Sequence, residues 1–344
     1  MNIKKRIAFV ILLIFSIFNI YAKNTISLVD KAKKEGMTVY WDSLSETGIL
    51  EKNGHQLTFR KDQQVVVLDS MRLMVTDAPT LEDNKLYVSQ KFIDDTEDFF
   101  NQTSAVPFKV GAIVIDPGHG GKDNGASRDW VIDGKKVTIR EKDINLKIGK
   151  MLYETLKTAY PDKQIVLTRD TDVFLTLGER TDISNGIKVK ENEAVLFISI
   201  HVNSSLNKNA SGYEVWYLSP GYRRTVIDDE EIKNDPSLFP ILNSMMEEEF
   251  TTESIMIAKF IMDGLEAQIG NLSDARGIKE EEWFVVRNSN MPSVLVEVGF
   301  VSNEKEARLL NDDQYLKKVT LGIYNGIAAF ITHFERSQGF TSVK

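Results

Sequence analysis

Four side chains stand where packing alone does not explain their type. His119 lies in VIDPGHGGKDNGA (114–126), directly after an apolar run and among glycines. His201 closes a second apolar run, VLFISIH (195–201). Glu141 opens the amphipathic stretch EKDINLKIGKMLYETL, and Glu297 interrupts SVLVEVGF (293–300), the most apolar strand-like run of the chain. Two imidazoles and one carboxylate form a ligand set for catalytic zinc that leaves the fourth position open to water. A carboxylate inside an apolar strand is costly unless it is paired, neutralised or close to a metal. Burial also raises its pKa, which suits a proton shuttle working near neutrality.

Each residue has a plainer reading. His119 and His201 are two unrelated loop histidines, or they meet at one sheet edge. Thr138-x-x-Glu141 matches a capping box, and Glu297 has Arg169, Arg180 and Arg287 as candidate ion-pair partners. The remaining histidines read as structural: His55 in a hairpin turn, His333 near the end of the last helix, where a cation suits the dipole. GHGGKD is not a phosphate loop, and no G-x-S-x-G, H-E-x-x-H or G-x-G-x-x-G pattern occurs.

The elements that must position these residues follow from the hydrophobic pattern. Residues 27–100 hold short β-like runs (MTVYW, HQLTFR, QQVVVLD, LYVSQKF) between turn clusters, a small strand-rich module. Residues 101–109 read as a linker. From 110 to 336 strand runs alternate with helical patterns. The strands are AIVID, IVLTR, VLFISIH, YEVWYLS, WFVVR and SVLVEVGF; the helices span 142–158, 175–186, 254–269 and 313–334. This predicts an α/β fold, a mostly parallel six-stranded sheet flanked by helices, preceded by a small β-rich domain. In such sheets ligands gather where strands end.

The bulk composition narrows the function. Residues 1–22 combine a basic n-region, MNIKKR, with a 14-residue apolar run and a small-residue exit. That run is shorter than the ~20 residues needed to span a bilayer, so it reads as an export signal. Its removal takes away three basic residues and no acids, moving the formal charge from −8 to −11. So acidic a chain is a poor nucleic-acid binder. With no cysteine, it has no disulfides or thiolate sites, and any metal must sit on His, Asp or Glu.

The segments IVIDPGHGGKDNGA, REKDINLKI, LTRDTDVFLTLGERTDISN, FISIHVNSS, RGIKEEEWFVVRNSNMPSVLVEVGFVSNEKEARLL and GIYNGIAAFI, in this order over residues 110–334, resemble the zinc-dependent N-acetylmuramoyl-L-alanine amidases of the amidase-3 family. The resemblance implies that His119, Glu141 and His201 bind Zn2+ and that Glu297 is the catalytic glutamate. The substrate would be peptidoglycan, cut between N-acetylmuramic acid and L-alanine. It places the protein outside the cytoplasm, in the periplasm or cell envelope, touching the membrane only through its export signal. The glycines beside His119 would then let a branched substrate reach the metal, with Asn203 as a substrate contact. The small module resembles the copper-amine-oxidase N-terminal-like domain, though one histidine and no cysteine offer copper little. Two rival functions remain at this level: a zinc peptidase acting on the stem peptide, and a non-catalytic wall-binding protein.

One departure from the family pattern is an insertion after YEVWYLS. Segment 219–252 exceeds the ~2–6 residues of a usual connection. Ser237 is placed to cap a helix from Leu238 to Phe250, with Glu247, Glu248 and Glu249 at its end. Some division amidases of the family carry a regulatory helix here. The segment therefore reads either as a lid over the zinc, answering to a protein activator, or as a solvated acidic excursion.

Overall fold

The structure is a computed structural model that describes residues 25–69, 72–101, 108–190, 192–226 and 239–336. The expected export signal, most of the expected linker, and Ser237 with Leu238 lie outside the described residues. The chain forms two compact units that divide between Val106 and Pro107.

The first unit contains β1 (Thr25–Ser27), α1 (Leu28–Glu35), β2 (Thr38–Asp42), β3 (Thr47–Lys52), β4 (His55–Arg60), β5 (Val65–Leu68), β6 (Arg72–Val75), β7 (Thr80–Glu82), β8 (Lys85–Ser89) and α2 (Gln90–Phe100). Strands β2 to β6 form an antiparallel meander, and β1, β8 and β7 a second sheet. Period-two alternation on β3 and β4 turns Leu50, Leu57 and Phe59 inward, onto Phe92 and Phe100 of α2. Asn53 and Gly54, both at positive φ, make the turn between them. His55 is not in that turn. It is the first residue of β4, buried, with Nδ1 2.8 Å from the Asp69 carboxylate and its ring edge-on to Phe99.

The second unit contains β9 (Lys109–Pro117), β10 (Ser127–Ile132), β11 (Lys135–Arg140), α3 (Glu141–Ala159), β12 (Gln164–Leu167), α4 (Leu177–Asn185), β13 (Glu193–Asn203), β14 (Tyr213–Tyr217), α5 (Phe239–Ile269), β15 (Ala275–Glu280), α6 (Phe284–Arg287), β16 (Ser293–Phe300), α7 (Glu304–Leu310) and α8 (Asp313–Arg336). Six strands form one sheet in the order β12-β9-β13-β16-β14-β15, and β14–β16 is its one antiparallel pair. The central strands carry apolar residues on both faces. Ile113, Ile115, Ile198, Ile200, Val294 and Val296 face the main core with residues of α3, α5 and α8. Val114, Phe197 and Leu295 face a smaller core closed by Leu218, Val285, Val286 and Met291. Asp116, Ser199, His201 and Glu297 share the strand parity of this thinner side.

Two elements differ from the sequence reading. WFVVR is not a strand: Trp283 caps the single helical turn α6, which buries Val285 and Val286. The sixth strand is β15, ARGIKE, an edge strand with no fully buried side chain; an edge needs no apolar run, so hydrophobicity did not reveal it. The expected helices 238–250 and 254–269 are one helix, α5.

Helix α5 carries Glu249 and Glu253 one turn apart, in no hydrogen bond or ion pair among the described residues. Burial pushes Glu249 up to about 7 and raises Glu253 too. A carboxyl whose folded pKa exceeds its unfolded one is protonated in the native state while the unfolded chain already ionises, so stability drains away as pH rises. The melting temperature of the protein should therefore fall by several degrees between pH 4.5 and about 7. Glu249→Gln with Glu253→Gln should flatten that slope, measured by thermal unfolding across the range. An unchanged slope would show that the pair is paired or hydrated in solution.

Candidate functional site: a His–Glu–His cluster beside a buried glutamate

Parallel strands β9 and β13 are neighbours, so their C-terminal ends bring His119 and His201 together, with ring centroids 5.1 Å apart. Glu141 reaches the same point from the first turn of α3. Its Oε1 is 2.9 Å from His201 Nδ1 and 3.2 Å from His119 Nε2. The backbone N–H of Val202 donates to Oε1 (3.0 Å) and that of Ala126 to Oε2 (2.7 Å). Burial would raise this carboxyl's pKa; the two imidazoles outweigh it and hold Glu141 far below the usual carboxylate range. Donor atoms of His119, Glu141 and His201 all lie within 4.8 Å of one another.

The capping box does not form. Thr138 Oγ1 donates instead to Asp129 (2.7 Å) across the β10–β11 hairpin, and the helix start has no side-chain cap. Glu141 is thereby free for the cluster. The glycines serve the packing of the site. A Cβ on Gly118 would stand 2.2 Å from His201 Cε1, and one on Gly125 2.4 Å from Glu141 Oε2. On Gly120 it would meet the Val173 carbonyl at 2.1 Å. These glycines make room for the cluster itself and for the segment packed against it.

Sequence reasoning missed two supports of His119. Asp123 lies 2.7 Å from His119 Nδ1, fixing the ring so that Nε2 faces the cluster; an acid four residues after the histidine was its signal. Beneath the loop, fully buried Asp116 pairs with Arg180 at 2.7 Å and accepts from Thr168 (2.6 Å) and Ser199 (2.8 Å). Arg180 also donates to the carbonyls of Pro117 (2.9 Å) and His119 (2.7 Å), and Arg169 to that of Gly118 (2.9 Å). Against its burial, Arg180 keeps the Asp116 carboxyl below its ordinary range.

Glu297 is the register partner of His201 on one side and of Glu214 on the other. None of the candidate arginines pairs with it: Arg180 holds Asp116, Arg169 holds backbone carbonyls, and Arg287 lies over Tyr222 and Phe284. Its Oε2 is buried with no hydrogen-bond partner among the described residues. Burial, then the nearby Glu141 and Glu214 carboxylates, push its pKa well up. Glu214 is neutralised by Arg276 (2.6 Å) and Lys279. Asn203 lines the cavity, but its amide is committed, donating to Glu214 (2.8 Å) and accepting from the Ser204 N–H (2.8 Å).

A cavity of about 590 Å³ opens on His119, Glu141, His201 and Glu297, with Phe174, Leu177, Trp283 and Phe284 among its walls. None of the described residues of 219–252 lines it. Glu247 is buried and accepts from the Arg224 backbone N–H (2.7 Å), Glu248 is exposed, and Glu249 belongs to the pair on α5.

The N-acetylmuramoyl-L-alanine amidase family matches residues 113–329. This chain is a member of that family. The copper amine oxidase N-terminal domain matches residues 22–99. YqiI of Bacillus subtilis (strain 168), an uncharacterized protein, is 32% identical over 227 residues, 66% of this chain and 88% of its own length. A probable N-acetylmuramoyl-L-alanine amidase, AmiB of Haemophilus influenzae, is 31% identical over 254 residues, covering 67% of this chain but 56% of its own. Among solved structures, N-acetylmuramoyl-L-alanine amidase AmiC2 of Nostoc punctiforme aligns over 64% of this chain and 97% of its own, with 29% identity and a TM-score of 0.47.

In this amidase, Arg180→Met would leave the Asp116 carboxylate buried without its counter-ion. Removing one partner of a buried pair costs ~3–5 kcal/mol, which denaturant unfolding would read, with Arg180→Lys falling between. A loss below ~1 kcal/mol, the size of a surface pair, would contradict the clamp.

Proposed function

We propose that this amidase hydrolyses the amide joining the lactyl group of N-acetylmuramic acid to L-alanine, with a single zinc ion held by His119, Glu141 and His201. The donor set fits the ion: two imidazoles and a carboxylate converge, and Asp123 orients one imidazole from behind, as outer carboxylates do in zinc sites. Bound there, zinc would polarise the scissile carbonyl and lower the pKa of water from ~15.7 toward ~7. Glu297 takes the proton from the attacking water and returns it to the leaving nitrogen. Its buried Oε2, without a hydrogen-bond partner among the described residues and in the same cavity as the ligand cluster, is the observation that carries this reading. A raised pKa suits both halves of the task. Asp116, Arg180 and Arg169 keep the His119 turn in place.

The basic and apolar pattern of residues 1–22 supports export to the periplasm or cell envelope, where peptidoglycan lies. Among the described residues, no helix is long and apolar enough to cross a membrane. A wall-binding protein without catalysis would have no use for an unpaired glutamate beside a ligand cluster.

Purified peptidoglycan incubated with the protein should release intact stem peptides, seen by mass spectrometry, and a zinc chelator should stop the release. Peptide fragments cut within the stem would identify a peptidase instead. Glu297→Gln should keep fold and zinc while turnover drops ~10²–10⁴-fold, the usual loss with a general base. Near-normal turnover in that variant would assign the proton transfer elsewhere.

A further inference from the structure

The cavity has two unlike rims. One comes from the segment after β12, where Phe174, Leu175 and Leu177 line the wall; the other follows β15 and presents Trp283. Strands β12 and β15 are the opposite edges of the sheet. Strand β9, which leads into His119, and strands β13 and β16, which bear His201 and Glu297, lie between them, so a substrate crossing the cluster meets both rims.

The Trp283 rim is aromatic and acidic. The indole is 44% exposed, and its ring is braced edge-on against Trp216 at 6.0 Å. Its N–H has no acceptor among the described residues. Glu280, Glu281 and Glu282 directly precede it, all exposed and none in an ion pair among the described residues. An indole offers a flat apolar face and a hydrogen-bond donor together, which matches the C–H face and hydroxyls of a pyranose. Three carboxylates beside it favour a neutral ligand over an anionic one.

The Phe174 rim is apolar with a cation. Lys122 lies over the Phe174 ring, 4.4 Å from its centroid, and forms no ion pair among the described residues. The segment is fixed to the His119 loop by Asp172, which accepts from the Gly121 N–H (2.7 Å) and Lys142 Nζ (2.8 Å). An exposed lysine over an apolar wall suits a chain with small apolar side chains and free carboxylates.

We propose that the substrate lies across the cluster with its glycan on Trp283 and its acidic stem peptide on the Lys122–Phe174 rim. The inference rests on the amidase reading and adds the direction of the substrate to it.

Calorimetric titration of the zinc-loaded full chain tests it with three probes. These are a neutral N-acetylglucosamine tetrasaccharide, a sugar-free stem peptide with free carboxylates, and the same peptide amidated. Trp283→Ala should weaken tetrasaccharide binding about ten-fold and leave both peptides unchanged, while Trp283→Phe keeps most of the affinity. Lys122→Glu should weaken the acidic peptide about five-fold, affect the amidated one less, and leave the tetrasaccharide unchanged. Both positions are solvent-facing, and melting temperature with zinc content verifies each variant. Tetrasaccharide binding that is absent in the parent protein, unchanged in Trp283→Ala, or lost in Lys122→Glu would overturn the proposal. The amidase reading fails separately, if the parent protein frees no stem peptide from peptidoglycan.

Discussion

The Glu141 carboxylate, buried between two imidazoles, is the contact on which the rest of the site depends. One oxygen faces both His201 and His119 and accepts the Val202 N–H; the other accepts the Ala126 N–H. The first turn of α3, the end of β13 and the loop after β9 are thus tied through one side chain. That geometry requires a helix that starts without a side-chain cap, and glycines at 118 and 125 where any Cβ would collide with the cluster. The β10–β11 hairpin supplies the approach into α3 and takes Thr138 away from the cap position.

Buried charge is handled unevenly around this point. Asp116 has Arg180, Glu141 has the imidazoles, and Glu214 has Arg276 and Lys279. Glu297 has no cation partner among the described residues, and two of its neighbours are carboxylates. An unpaired buried carboxylate is expensive to keep ionised. In this setting the same expense gives Glu297 a high proton affinity, which is what a group that accepts and then donates a proton needs. Neutralising Glu214 on the far side of the strand limits the repulsion Glu297 meets there.

Much of this was legible in the sequence because the central strands are buried on both faces. Their apolar runs mark β9, β13 and β16 directly, and a lone glutamate in such a run, or a histidine at its end, stands out. What was hidden obeys different physics. Strand β15 is an edge and needs few apolar residues. The apolar FVVR fills the thinner core as one helical turn, so hydrophobicity without a period misassigned it. Asp133-Gly134, both at positive φ, turns the β10–β11 hairpin and was a readable signal that the reading passed over. The glycines near His119 were read as admitting substrate; that His201, Glu141 and Val173 pack against them is decided by long-range packing that no local pattern records. Asp116 drew no reading from the sequence, because its clamp on the loop depends on Arg180, 64 residues away in the chain.

Zinc on His119, Glu141 and His201 is tested most directly by X-ray absorption at the zinc edge of the purified protein. The expected result is one zinc per chain, with two imidazole nitrogens at ~2.0–2.1 Å and oxygen donors completing a four-coordinate shell. A protein that binds no zinc, or binds it without imidazole scattering, would contradict it.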